Sequence, residues 1–211
     1  LKCPPSALIN EKLPDFSSSY AEEGTLAHEI GELGLQLASG KITKRKYTAD
    51  LKKLKEHSLF YPGMLDEVQE YIDFVVGEWQ EALTEDPEAD LLIEQRLDYS
   101  KYAPEGFGTG DAVIVSRGHL HVIDLKFGTG TRVDVDENPQ LKLYALGAYE
   151  ALHFLYDIDR VKVTVAQVRL DAIETFEISV DNLVRWGEEV VKPAATLAIE
   201  GSGELQPGEW C

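Results

Sequence analysis

Two acidic residues and a lysine on consecutive apolar runs have the types and spacing of a divalent-metal centre. Asp111 precedes the apolar run 112–115, and Asp124 closes the next apolar run 13 residues later. We expect Asp111 to end the turn before its strand, and a hairpin of the two strands would bring both carboxylates together. The alternation of a strand then returns Lys126 to the face of Asp124, while Leu125 points away.

The chemistry that suits this pattern is hydrolysis of a phosphodiester. Hard oxygen ligands favour Mg²⁺ or Mn²⁺. Such an ion lowers the pKa of bound water and neutralises charge on the scissile phosphate, and a nearby lysine can orient the water or stabilise the extra negative charge. The alternative is a solvated hairpin in which the Asp-x-Lys sequence forms a surface ion pair.

A capped helix after these strands adds two polar side chains. Asn138 is a good N-cap and Pro139 a good first helical residue, so Gln140 falls in the first turn. Tyr144 follows at i+4 and shares the face of Gln140. Both could hold a nucleic-acid backbone near the metal, because the N–H groups of a helix N-terminus also favour a phosphate. The alternative is that Tyr144 packs in the core.

His28 is a candidate third metal ligand on an N-terminal helix. Its neighbours at i−4 and i+3 are Gly24 and Gly31, which each lower helix propensity by about 1 kcal/mol relative to alanine. We therefore expect something to approach this helix face closely. Imidazole binds Mn²⁺ well enough to serve as a ligand, although a lone helical histidine can also be structural.

The four motifs occur in a characteristic order, Gly24-x-x-x-His28, Gly110-Asp111, Asp124-x-Lys126 and Gln140-x-x-x-Tyr144. This set resembles the RecB-like branch of the PD-(D/E)XK nuclease superfamily and is similar to its phage-borne and CRISPR-associated members. The resemblance implies a divalent-metal-dependent deoxyribonuclease, expected to be an exonuclease of phage recombination or DNA end processing that uses Mg²⁺ or Mn²⁺.

The resemblance also implies a role for each matched residue. Metal ligation is expected from His28, Asp111, Asp124 and the main-chain carbonyl of Leu125. The catalytic residues are expected to be Asp111, Asp124 and Lys126, and the substrate-binding residues Gln140 and Tyr144. An acidic residue on the preceding strand can lie near the metal in that family, and Glu94 is the candidate here, with Glu88 and Asp98 as alternatives.

The two cysteines can be interpreted through the same resemblance. Several RecB-like nucleases hold a four-iron four-sulfur cluster with one cysteine before the nuclease core and three after it. Cys3 and Cys211 stand where the first and second ligands would be. Two thiols cannot supply four ligands, so a cluster requires further cysteines after Cys211, in a longer natural product. The alternative is two free cysteines.

The elements that must position these residues indicate an α/β fold. We expect a restriction-endonuclease-like core, with a central mixed sheet flanked by helices and a helical N-terminal region. The predicted helices cover about 20–38, 41–59, 64–83, 139–154 and 180–199, and the predicted strands cover 91–97, 111–115, 119–127, 160–170 and 173–178. We expect one nuclease domain, with a helical part at 1–88, the core at 89–200 and a loop-like tail at 201–211.

Charge and hydropathy limit the partners. The formal charge of −18 repels nucleic acid at long range, so contact with the expected partner, DNA, must be local. Segment 41–57 has seven basic and two acidic residues, and it either touches a polyanion or is a solvated helical face. No run is long enough to span a membrane, and we expect a cytoplasmic protein of a bacterial or phage-infected cell, with a phage recombination protein as a candidate partner.

Two other functions fit part of this pattern. The first is a nucleic-acid-binding or scaffolding protein on the same fold with little cleavage, which the acidic charge makes conceivable. The second is an acidic protein-interaction module, in which the charge itself is the functional feature.

Overall fold

The computed structural model describes residues 2–10, 12–13, 18–136, 138–206 and 208. Within these residues a five-stranded mixed sheet is flanked by helices, and a helical region precedes the first strand. The predicted α/β class with a central mixed sheet and N-terminal helices is therefore confirmed.

The helices and strands alternate only in the second half of the chain. The helices are α1 (Ser6–Asn10), α2 (Ser19–Ala38), α3 (Lys44–Leu54), α4 (Gly63–Glu85), α5 (Pro139–Leu152), α6 (Val180–Trp186) and α7 (Lys192–Glu200). The strands are β1 (Asp90–Asp98), β2 (Phe107–Ser116), β3 (Gly118–Leu125), β4 (Ile158–Gln167) and β5 (Ala172–Ser179).

The spatial order of the strands in the sheet follows the chain, β1-β2-β3-β4-β5. The pairs β1–β2, β2–β3 and β4–β5 are antiparallel, and only β3–β4 is parallel within this sheet. A parallel pair requires a crossover connection, and α5 supplies it. Segment 126–138 joins β3 to α5, and Gln140 in the first turn of α5 contacts Lys126 next to the end of β3.

Side-chain caps define the starts of the two helices that carry predicted site residues. The Ser18 hydroxyl accepts a hydrogen bond from the Ala21 N–H at 3.2 Å at the start of α2. The Asn138 side chain accepts from the Leu141 N–H at 3.2 Å at the start of α5, as predicted, with Pro139 next in the chain. These caps satisfy N–H groups that have no partner inside the helix.

The sheet has an apolar core on each face. The α5-side core joins the sheet to α5 and α6 and includes Val113, Val115, Leu120, Val122 and Leu146. The α2-side core joins it to α2 and α4 and includes Ile30, Val68, Ala112, Ile114 and Leu125. Helices α2 and α5 therefore lie on opposite faces, so the predicted site residues on these two helices approach the sheet from opposite sides.

The side-chain alternation of β1 shifts by one residue at Glu94. Ile93 packs with the α2-side core, whereas Leu97 is buried in the α5-side core. Residues four apart in a regular strand share a face, so the alternation breaks between them. Glu94 lies in this interval and has a left-handed backbone with φ of 50°, a conformation that costs free energy for a residue other than glycine.

Strand β2 begins earlier than its sequence pattern predicts. Asp111 was expected to end a turn, but it lies inside β2, which starts at Phe107 and pairs with β1. That prediction was wrong because Gly108 and Gly110 extend the strand beneath apolar neighbours. A Cβ at Gly110 would lie 2.8 Å from Leu97 Cδ1, so a side chain there would require the Leu97 side chain to shift.

The other predicted elements are present with small changes in their bounds. Helix α3 is shorter than the predicted 41–59 because Thr43 caps its start, accepting from the Lys46 N–H at 3.3 Å. Strand β4 ends at Gln167 rather than at residue 170, since a 3₁₀ turn, Val168–Leu170, follows it. The predicted helix 180–199 is α6 and α7 joined by a π-helical turn, Gly187–Val191. No helix among the described residues combines the length and the apolar character needed to cross a membrane.

Candidate metal centre and catalytic site

Glu94, Asp111 and Asp124 are cross-strand neighbours on the adjacent strands β1, β2 and β3. Glu94 lies between the pairs Ile93↔Ala112 and Gln95↔Gly110, opposite Asp111. Asp124 follows the pair Ala112↔Ile123 and is therefore opposite Asp111 on its other side. Neighbouring strands lie about 4.8 Å apart, so the sheet itself brings the three carboxylates together.

Helix α2 adds an imidazole to this acidic group. His28 Nδ1 lies 3.0 Å from Asp111 Oδ1. One ligand atom from each of His28, Glu94 and Asp111 lies within 4.8 Å of the other two. Adjacent ligands of an octahedral ion at about 2.1 Å are about 3.0 Å apart, which matches the His28–Asp111 separation. Imidazole with hard carboxylate oxygens is a donor set that fits Mn²⁺ or Mg²⁺.

Asp124 begins a second set of contacts that leads to α5. Its Oδ2 lies 2.8 Å from Lys126 Nζ in an ion pair, and only 3% of Asp124 is exposed. Lys126 Nζ donates to Gln140 Oε1 at 3.2 Å, and Gln140 Nε2 donates to the Tyr144 hydroxyl at 2.9 Å. The structure therefore brings together Asp124, Lys126, Gln140 and Tyr144, although β3 and α5 are separate elements.

Asp111 joins the two sets. Its Oδ1 contacts His28, and its Oδ2 accepts a hydrogen bond from the Leu125 backbone N–H at 2.6 Å. The side chain of Leu125 is buried in the α2-side core, as the predicted alternation requires. The proposed ligand role of the Leu125 carbonyl remains a prediction, as does that of Asp124, whose carboxylate faces Lys126.

Among the three acidic candidates on and before β1, Glu94 is the one that lies beside His28 and Asp111. The carboxylate of Asp98 instead accepts from the Ser100 N–H at 2.9 Å, and Glu88 is exposed in the turn after α4. The shift in alternation at Glu94 accounts for this difference, because it changes which positions of β1 face the cluster.

Burial and mutual repulsion perturb the ionisation of the cluster. Burial, followed by the charges of Asp111 and Glu32, raises the pKa of Glu94 to about 7. Burial and the charge of Asp111 also raise the pKa of Asp124, against the opposing effect of Lys126. A bound divalent cation would favour the ionised form of each carboxylate. The cluster therefore has more negative charge than its own residues neutralise.

The pKa of His28 is shifted by the same carboxylates. Burial lowers it, but the hydrogen bond to Asp111 and the charges of Asp111, Asp124 and Glu94 together outweigh burial and raise it. In the protonated state His28 supplies a positive charge beside Asp111. A metal ion requires the neutral imidazole, so proton and metal compete for this side chain.

Tyr71 of α4 was not anticipated from the sequence. The residue is 1% exposed, and its hydroxyl makes no hydrogen bond with any described residue. Burial, followed by the charges of Asp111, Asp124 and Glu94, raises the pKa of Tyr71. An orphaned buried hydroxyl beside carboxylates is costly, which indicates a position for a ligand or water. In the sequence Tyr71 lies on an apolar helix face and looks like an ordinary core residue.

The glycines beside His28 have different surroundings. A Cβ at Gly31 would lie 3.2 Å from Tyr71 Cε1, so the expected close approach is found there, and α4 makes it. The expectation was wrong for Gly24, because no described heavy atom lies within 4 Å of a Cβ built there. Among the described residues, the helix face at Gly24 therefore has no close neighbour.

The basic segment 41–57 is partly neutralised within the protein. Lys41 Nζ donates to the Leu91 carbonyl at 2.6 Å. Lys46 and Lys53 both pair with Asp50, at 2.6 and 2.7 Å. The segment is a helical face that carries its own acidic partner, and contact with a polyanion remains a prediction.

Cys3 is a free and buried thiol. Its Sγ accepts from the Gln206 backbone N–H at 3.4 Å, so the N-terminal segment packs beside residue 206. The other predicted cluster ligand, Cys211, lies outside the described residues.

Comparison with known proteins gives one family match across the chain. A family model described as "Protein of unknown function (DUF2800)" matches residues 1–211. A solved structure titled "Crystal structure of SSO0001" is similar at 16% identity, covering 74% of this chain and 68% of that chain with a TM-score of 0.27.

Proposed function

We propose that this chain, which belongs to the DUF2800 family, is a divalent-metal-dependent nuclease that hydrolyses phosphodiester bonds of DNA. The observation that carries the proposal is a series of contacts across four elements, α2, β2, β3 and α5. It runs from His28 through Asp111 to the Leu125 backbone, and from Asp124 through Lys126 to Gln140. This arrangement supports the expected RecB-like, PD-(D/E)XK chemistry.

The residues that would hold the ion are His28, Glu94 and Asp111, with Asp124 beside them. Their donor chemistry fits, and the buried Tyr71 hydroxyl, which has no hydrogen-bond partner among the described residues, is an independent sign that a ligand belongs next to them. A bound Mg²⁺ or Mn²⁺ would lower the pKa of water and neutralise charge on the phosphate.

Lys126 supplies the positive charge of the proposed mechanism. Its ammonium is held between the Asp124 carboxylate and the Gln140 amide, at 2.8 and 3.2 Å. Fixed at two points, the ammonium can orient a water molecule or stabilise the negative charge that develops on the phosphate. Preorganisation of this kind requires little rearrangement during the reaction.

Helix α5 would position the nucleic-acid strand. Gln140 lies in the first turn of α5, where backbone N–H groups favour an anion. Its amide donates to Tyr144 and accepts from Lys126, so the side chain is fixed in orientation. We assign Gln140 and Tyr144 to contacts with the phosphate backbone next to the scissile bond.

The test is cleavage of end-labelled single- and double-stranded DNA in Mg²⁺, in Mn²⁺ and in chelator. We expect the wild-type protein to cut only with metal, and Asp111→Asn, Asp124→Asn and Lys126→Ala to lose cleavage while remaining folded. Lys192→Ala is the matched control, since Lys192 forms an exposed ion pair with Glu188 on another part of the surface.

Three outcomes would contradict this function. Cleavage that survives chelator would exclude the metal mechanism, and cleavage that survives all three substitutions would exclude these residues. Retained DNA binding without cleavage under any condition would favour a scaffolding protein on the same fold.

A further inference from the structure

An exposed aromatic ring and an arginine form a stacked pair near the candidate site. The Arg96 guanidinium carbon lies 3.7 Å from the centroid of the Phe107 ring. Phe107 is 54% exposed, and Arg96 is exposed as well. The pair therefore presents an aromatic face and a guanidinium plane together at the surface.

Phe107 lies on the same strand face as Asp111. Phe107 and Thr109 are exposed, whereas Gly108 and Gly110 face the α5 side. A Cβ added at Gly108 would meet the Tyr144 ring, and one added at Gly110 would meet the Leu97 side chain. Alternation therefore aligns Phe107, Thr109 and Asp111. Four residues of strand span about 13 Å, which separates the ring from the proposed metal ligand.

Arg96 reaches this face from the neighbouring strand. It is paired with Thr109 in the β1–β2 register, two residues beyond Glu94. The nearby carboxylate of Asp98 accepts from the Ser100 N–H, and the charge of Arg96 also contributes to lowering the pKa of Asp98. Arg96 therefore places a positive charge beside the ring in a chain whose formal charge is −18.

The backbone that carries the ring is held in place. The Tyr99 hydroxyl donates to the Phe107 carbonyl at 2.9 Å, and Phe107 is paired across the strands with Asp98. A platform on fixed backbone binds with a smaller ordering cost than one on a loop.

We propose that Phe107 and Arg96 form a stacking platform for an unpaired nucleobase of the strand that enters the candidate catalytic site. Aromatic rings and guanidinium planes are the groups on which bases of single strands stack, and Arg96 adds attraction to the phosphate backbone. The proposal rests on the proposed nuclease function and deepens it, because it makes a strand with unpaired bases the preferred substrate.

The test compares binding of a fluorescent 12-nucleotide single strand, an abasic strand of equal length and a blunt duplex, by anisotropy in Ca²⁺. Stacking on an aromatic side chain is worth about 1–3 kcal/mol per base. We therefore expect Phe107→Ala to weaken binding of the base-bearing strand by roughly 5-fold or more and to leave binding of the abasic strand unchanged. We expect Phe107→Trp to bind the base-bearing strand as tightly as the wild type.

Two matched controls separate the platform from general surface effects. Phe154→Ala removes another exposed ring, 70% exposed after the end of α5. Arg117→Ala removes an exposed arginine in the turn at the opposite end of β2 from Phe107. We expect both control variants to bind all three probes as the wild type does.

Cleavage of the same strands in Mn²⁺ separates failure of the platform from failure of the function. If the wild type cuts DNA but Phe107→Ala binds and cuts all probes equally well, the platform is wrong and the nuclease proposal stands. If base-bearing strands bind in a Phe107-dependent way without any cleavage, the platform stands and the nuclease proposal fails. Equal losses on base-bearing and abasic strands, tighter wild-type binding to the duplex, or no wild-type binding to any probe would overturn the platform.

Discussion

The imidazole of His28 and the carboxylate of Asp111 are 3.0 Å apart, although 83 residues separate them in the sequence. This pair connects α2 to the sheet at the position where the acidic residues of β1, β2 and β3 lie close together. If both side chains ligate one ion, removal of either should weaken metal binding without unfolding the protein. The pair therefore gives the most direct test of the metal centre.

We predict that His28→Ala lowers the affinity for Mn²⁺ by at least about 10-fold, since even outer partners of metal ligands cost 10- to 100-fold when they are removed. Calorimetric titration measures this change. The control is His153→Ala, because His153 is exposed and stacks on Tyr149. Equal Mn²⁺ affinity for wild type and His28→Ala would remove His28 from the metal centre.

Glu94 gives a prediction about pH. The unfolded chain releases this proton near the ordinary pKa of 4.5, whereas the folded protein retains it until about pH 7. The folded state then binds more protons, so the contribution of Glu94 to the free energy of unfolding falls as the pH rises through this window. In chelator, we expect Glu94→Gln to gain stability relative to wild type between pH 5 and pH 8.

Urea denaturation at several pH values measures the Glu94 effect, and Glu70→Gln, an exposed change on α4, is its control. Mn²⁺ should offset the loss in the wild type more than in Glu94→Gln, because a divalent cation replaces the proton. If the stability difference between wild type and Glu94→Gln does not change with pH, the pKa of Glu94 is not raised in the folded protein.

Tyr71→Phe should change both the stability in chelator and the stability gained from metal. The hydroxyl is buried and lacks a described partner, and an unsatisfied buried polar group costs about 1–3 kcal/mol. We therefore expect the variant to be more stable than wild type in chelator and to gain less stability from Mn²⁺. Thermal unfolding measures both, with Tyr20→Phe as a control on an exposed tyrosine. A loss of stability in chelator would mean that the hydroxyl is already satisfied.

Lys126→Ala should separate cleavage from metal binding. Its ammonium pairs with Asp124 and bonds to Gln140, so its loss removes a positive charge from an acidic cluster. We expect kcat to fall by roughly 100-fold or more, while Mn²⁺ affinity at pH 8 stays equal or increases. Single-turnover cleavage and titration measure the two effects. A parallel loss of both would make Lys126 a structural residue.

The predictable part of this site came from local patterns. Strand alternation placed Lys126 on the face of Asp124, and the N-cap Asn138 fixed the start of α5, so that Gln140 falls in its first turn. Such signals depend only on neighbours in the chain. They also gave the predicted elements nearly correct bounds.

The unpredicted part depends on contacts between distant elements. The left-handed backbone at Glu94 changes which face β1 presents, and a period-two pattern cannot anticipate such a shift. The predicted strand starts at residue 111, whereas Gly108 and Gly110 let β2 begin earlier and pass close to the Tyr144 and Leu97 side chains. The isolation of the Tyr71 hydroxyl exists only once α4 packs on the sheet.

Gly108 and Tyr144 provide a last test, which links packing to the position of the catalytic groups. A Cβ at Gly108 would overlap the Tyr144 ring. We expect Gly108→Ala to destabilise the fold by about 1–3 kcal/mol, as overpacking does, and to reduce cleavage. The reason is that a displaced Tyr144 can no longer bond to Gln140, which in turn orients Lys126.

A double-mutant cycle with Tyr144→Ala isolates this contact. Residues in contact couple by about 0.5–3 kcal/mol, so the double variant should be more stable than the sum of the single changes allows. Gly128→Ala is the control, because no described heavy atom lies within 4 Å of a Cβ built there. If the free energies of unfolding are additive, the Tyr144 ring does not rest on Gly108. The Lys126–Gln140–Tyr144 series would then depend on α5 alone, and cleavage should be insensitive to Gly108→Ala.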